Sequence, residues 1–69
     1  MIVVRPGDVV VIRAFDDVPE HHFKVDEVLD DCVTGMALTG PLAGEYGEPE
    51  RSMIVRVLGR HGSSESQQA

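Results

Sequence analysis

Apolar residues in this chain fall in short, largely β-branched runs separated by Gly, Pro and Asp. The first clear run, Val9-Val10-Val11-Ile12, follows Pro6-Gly7-Asp8. Proline presets φ and glycine accepts φ values closed to other residues, so the tripeptide reads as a turn. β-Branching restricts χ1 and suits a pleated surface. A strand is expected from Val9 to Ala14, with Val9, Val11 and Arg13 on one face and Val10, Ile12 and Ala14 on the other. The acidic loop "DDVPEHH" comes next, where Pro19 keeps Val18 out of helical φ/ψ.

The stretch "VDEVLDDCVTG" supports two elements. As a helix, Val25, Val28, Leu29, Cys32 and Val33 form one apolar stripe. That reading suffers from several β-branched residues and has no capping side chain at Phe23-Lys24. It also puts Asp30 and Asp31 at the negative end of the macrodipole. As a hairpin, a strand from Phe23 to Leu29 turns at Asp30-Asp31 into a strand from Cys32 to Thr39, kinked at Gly35. Strict alternation then places Phe23, Val25, Glu27 and Leu29 together, and a bulge near Asp26-Glu27 would turn Val28 inward instead. The hairpin is the more consistent reading.

The segment from Gly40 to Glu50 holds three glycines and two prolines, which excludes a regular helix. Leu42 and Tyr46 are expected to tack it onto the core. A last strand, Ser52 to Leu58, should turn Arg56 to water and Val55 and Val57 to the core. Gly59 should end the ordered part, and "RHGSSESQQA" has no apolar anchor to offset its ordering entropy. The expected organisation is therefore one all-β domain over residues 1–60 and a disordered tail over 61–69.

"RPGDVVVIRAF", an acidic loop, "FKVDEVLDDCVTGMAL" and "MIVRVL" together resemble small SH3-like β-barrels of the KOW and Tudor type, and the whole is similar to a short bacterial protein carrying that barrel. The resemblance implies a strongly bent barrel of four to five strands from about Val4 to Leu58. It does not carry over a ligand. Asp16-Asp17 and Val18-Pro19 stand where KOW modules have glycine and basic residues. Tudor modules that bind methylated side chains use an aromatic cage, and here only Phe15, Phe23 and Tyr46 could line one pocket, with at least two of them better suited to the core.

Size and charge narrow the function. A chain of 69 residues buries only about 60% of its unfolded surface and usually needs a disulfide, a metal or a partner. Cys32 is the only cysteine, which excludes an internal disulfide and fits a reducing compartment. No signal-peptide or membrane-helix pattern is present, so a cytoplasmic protein is expected. The net charge is −6, with ten acids against one base between Asp16 and Glu50. Most of such a surface repels a phosphate backbone.

Chemistry-bearing clusters are sparse. Glu20, His21 and His22 could contribute to a metal site with Cys32 or His61, but neighbouring strand residues face opposite ways. Asp26, Glu27, Asp30 and Asp31 lack the spacing of a calcium loop. A Cys32 thiolate would be disfavoured beside two aspartates. A barrel of this size is also expected to have little room for a pocket of several hundred cubic ångströms.

The expectation is thus a non-catalytic protein-interaction or self-assembly module with no cofactor and no metal, acting through an edge strand or an apolar patch and possessing an acidic face that chooses a basic partner. Val10, Ile12, Val55 and Tyr46 are the residues expected to support that contact, and Arg13, Tyr46, Arg51 and Arg56 the residues expected to touch a partner. Two rivals stand beside it: nucleic-acid binding through Arg5, Arg13, Arg51, Arg56 and Arg60, and metal binding at the His21-His22 loop.

Overall fold

The structure is a computed structural model that describes residues 3–60. The expected tail over 61–69 lies outside the described residues. The chain forms five antiparallel strands: β1 Asp8–Ile12, β2 His21–Val28, β3 Val33–Ala37, β4 Tyr46–Gly47 and β5 Ile54–Arg60, with a 3-10 turn at Arg51–Met53. They make one sheet in the order β4-β3-β2-β1-β5. Among the described residues there is no α-helix, and no helix is long and apolar enough to cross a membrane.

Turn chemistry sets the first strand. The Asp8 N–H donates to the Arg5 carbonyl at 3.0 Å, and the Arg5 N–H donates to Asp8 Oδ2 at 2.9 Å. Gly7 takes φ 93°, the left-handed value that the third residue of this turn requires. The opening ambiguity resolves as the hairpin: β2 and β3 are joined at Asp30-Asp31, with the Leu29 N–H donating to the Cys32 carbonyl at 2.8 Å.

The core comprises Val4, Val10, Ile12, Phe23, Val25, Val33, Ala37 and Ile54. The expected bulge in β2 is present: Val25 pairs with Gly35 but Glu27 pairs with Thr34, so Asp26 is the extra residue. It turns Val28 toward the core and leaves Leu29 exposed rather than aligned with Phe23 and Val25.

Several expectations need correction. Strand β2 starts at His21, so the histidine pair lies in the sheet and not in a loop. Strand β5 starts at Ile54 and continues through Gly59 to Arg60, so Gly59 does not end it. Val55 is 42% exposed although alternation puts it inside. Register explains both. Val11 pairs with Arg56 and Ile12 with Ile54, so Val55 is bulged out; Val10 pairs with Val57 and Val9 with Gly59, so Leu58 is bulged too. Ile54 and Val57, not Val55, face the core. Tyr46 does not tack its loop down: it is 64% exposed, and Leu42 alone packs against the core. Val10 and Ile12 are fully buried in an inner strand of the sheet.

Candidate functional site

The sheet curls around its core, and one end of it stays open as a groove of about 310 Å³. This corrects the expectation that the domain has little room for a pocket. The core residues Ile12, Phe23 and Ala37 form its floor. Phe15 and Leu42 wall it, each delivered by a turn. Phe15 is held by a two-residue reversal at Asp16-Asp17: its N–H donates to the Val18 carbonyl at 2.9 Å, and the Val18 N–H returns a bond of 2.7 Å. Asp16 has φ 48°, a left-handed conformation that aspartate tolerates better than most residues. Leu42 sits in a loop closed by the Ala43 N–H on the Gly40 carbonyl at 3.1 Å and the Glu45 N–H on the Leu42 carbonyl at 2.9 Å.

His21 continues the inward row of β2 with Phe23 and Val25. It is 5% exposed, lines the groove and faces Phe15 with ring centroids 6.2 Å apart. Its Nδ1 lies 2.9 Å from the Pro19 carbonyl oxygen. A carbonyl can only accept, so Nδ1 is the donor of this bond, and in the neutral form of the ring Nε2 is the acceptor. His22 is exposed on the opposite face, so the pair cannot converge on one ion. Among the described residues there is no group of three or more His, Cys, Asp or Glu able to hold a metal.

The remaining border is the segment Tyr46 to Pro49, with Glu45 at its rim. Paired residues in an antiparallel ladder share a face. Tyr46 pairs with the exposed Met36, so its ring stands on the outer side and its main chain borders the groove. The three aromatics thus meet at one groove, two by their rings and one by its backbone.

The Tyr46 hydroxyl donates to Glu48 Oε2 at 2.7 Å. That bond is the main reason its pKa is raised above the ordinary 10.0; slight desolvation and the Glu48 and Glu27 charges add to it, and the nearby Thr34 side chain opposes it. The neutral hydroxyl is favoured in the fold. This contribution to stability is present below the ordinary pKa and is lost as pH rises through the folded one. Tyr46 is the only tyrosine, so a tyrosinate absorbance titration reads it alone. Glu48→Gln should move the midpoint down, because the acceptor loses its charge. An unmoved midpoint would remove Glu48 as the cause.

The four residues expected to touch a partner lie on different elements. Arg13 is exposed just beyond β1, with its N–H on the Met53 carbonyl at 2.9 Å. Arg56 is exposed on β5 opposite Val11. Arg51 precedes β5 and points a guanidinium nitrogen at the Leu29 carbonyl, 3.4 Å away. Tyr46 lies on β4, at the other edge of the sheet. Sequence reasoning missed His21, Leu42, Glu45 and Pro49 as groove residues. Extending the Phe23-Val25 alternation back by one step would have turned His21 inward; the placement of the other three depends on loop geometry. No protein-family model matches the chain, and neither a curated protein nor a solved structure matches it.

Proposed function

We propose that the chain is a non-catalytic protein-interaction module, an SH3-like barrel that docks a segment of a partner protein in the groove between Phe15, Phe23 and Leu42. The five-stranded bent sheet supports the barrel likeness. The groove carries the functional reading: it is open, apolar in its floor and walls, and built by turns that hold Phe15 and Leu42 over the core. Its volume is at the lower end of the range for ligand sites, which suits one or two side chains better than a cofactor. Glu45 and Glu48 border it, so a basic segment is favoured over an acidic one. The nucleic-acid reading ranks second because none of Arg13, Arg51 and Arg56 lines the groove.

Selection from a displayed random-peptide library against the intact chain tests this. Enriched peptides should bind a Leu42→Ser variant about tenfold more weakly, the effect of losing one well-packed anchor. Peptides that bind parent and variant equally would place docking elsewhere.

A further inference from the structure

The groove has a neighbour that determines how a segment could enter it. From Tyr46 to Arg51 the chain runs in antiparallel alternation beside β3 and the Asp31-Cys32 segment before it; just ahead of it the Ala37 carbonyl is taken by the Gly44 N–H and the Glu45 N–H turns to Leu42. The Ala37 N–H donates to the Glu45 carbonyl at 3.0 Å, the Val33 N–H to the Pro49 carbonyl at 3.0 Å and the Arg51 N–H to the Asp31 carbonyl at 2.8 Å; Gly35 pairs with Gly47 between them. In such a ladder, alternate residues turn their main-chain groups to the partner strand and the others turn theirs away. Glu45, Gly47, Pro49 and Arg51 face β3. Tyr46 and Glu48 therefore direct their N–H and C=O groups outward, and β4 is the last strand of the sheet.

The two edges of the sheet are unequal. Bulges at Val55 and Leu58 break β5, a device that discourages strand pairing. No bulge interrupts β4, and the groove runs along it. The missing N–H of Pro49 is on the β3 side, so it costs the outer edge nothing.

The acceptors in the groove add a chemical preference. His21 is 5% exposed, and no described residue bonds its Nε2. No buried side-chain nitrogen or oxygen among the described residues lacks a partner, so Nε2 opens onto the groove. Glu45 supplies a carboxylate at the rim. The Tyr46 ring stands on the outer side, so the groove offers side-chain acceptors without side-chain donors.

We propose that a partner polypeptide adds to the free edge of β4 as an extended strand and inserts an arginine side chain into the groove. This rests on the reading of the groove as the docking site. Tyr46 and Glu48 would exchange main-chain hydrogen bonds with alternate residues of the incoming strand. The inserted stem lies on Phe23 and Leu42, and its planar guanidinium, which only donates, reaches His21 Nε2 and Glu45. Charge complementarity with Glu45 and Glu48 selects a cation over an anion.

The probe is the blocked pentapeptide Val-Thr-Arg-Thr-Val, titrated into the full isotope-labelled chain and followed by amide chemical shifts. Two further peptides carry N-methyl groups on one or the other alternate set of amides, and a fourth replaces arginine by citrulline. The parent peptide should shift the amides of Tyr46, Gly47 and Glu48. One N-methylated set should bind at least about tenfold more weakly while the other stays within about threefold, since only one set faces the edge. Citrulline should weaken binding about tenfold by removing the charge from the hydrogen bonds.

Equal binding of both N-methylated sets overturns strand addition, and equal binding of citrulline overturns the arginine assignment; in either case library peptides that depend on Leu42 would leave the docking groove standing. Shifts at Arg13 and Arg56 in place of Tyr46–Glu48 overturn the proposed edge. A concentration-dependent dimer that protects the Tyr46 and Glu48 amides makes the occupant a second copy and overturns the partner assignment.

Discussion

Gly35→Ala is expected to remove most of the stability of the domain. Gly35 is buried in β3 opposite Val25, and a Cβ there would overlap the Lys24 carbonyl oxygen and stand 2.9 Å from Phe23 Cε1. Phe23 could rotate, but the carbonyl belongs to the adjoining strand of the same ladder and cannot withdraw without breaking it. Overpacking costs roughly 1–3 kcal/mol where side chains can shift, and more where backbone must move. A core in a domain this small supplies about 3–5 kcal/mol in all. A loss of about 3 kcal/mol therefore removes most of the stability. Urea denaturation followed by far-ultraviolet circular dichroism measures it. A variant with the parental midpoint would mean that β3 can stand off from β2.

Ile12→Ala has an expected effect of similar size. Ile12 has no solvent exposure, pairs with both His21 and Ile54, and is part of the groove floor. Truncating a buried isoleucine costs about 2–5 kcal/mol, the spread reflecting how far the site can collapse. Val55→Ala is the internal control. Alternation along the sequence puts Val55 inside, the bulge puts it outside, and an exposed substitution stays within about 0.5 kcal/mol of the parent. Thermal unfolding of both variants decides it: a Val55 loss comparable to that at Ile12 would place Val55 back in the core and remove the bulge.

Much of the fold was legible because it depends on local chemistry. Pro6-Gly7-Asp8 has one economical turn geometry, the Val9–Ile12 run suits only a pleated surface, and the crowding of apolar and acidic residues around Asp26 required an extra residue in β2. The β5 phase was not legible. Its bulges at Val55 and Leu58 arise from matching a seven-residue strand to a shorter β1, and nothing in "MIVRVLG" records which residue will be left over. Leu42 and Tyr46 were interchangeable as loop anchors in sequence. The ladder with Met36 turned one ring outward, and the Gly40–Glu45 turn brought the other residue in.

The candidate site was legible only in fragments. Three aromatics were visible as pocket material, and the acid excess pointed to a basic partner. The arginines drew attention because charge is conspicuous along a chain, whereas a groove is made by residues that are distant in sequence and individually unremarkable in composition.

Sequence alone determined the all-β class and the hairpin at Asp30-Asp31, because turn residues and β-branching act within a few bonds of themselves. Tertiary structure alone decided which side chains face inward in β5, that a groove exists, and which sheet edge is left regular. Those features depend on register between strands, and a one-residue slip in register reverses the face of every side chain beyond it.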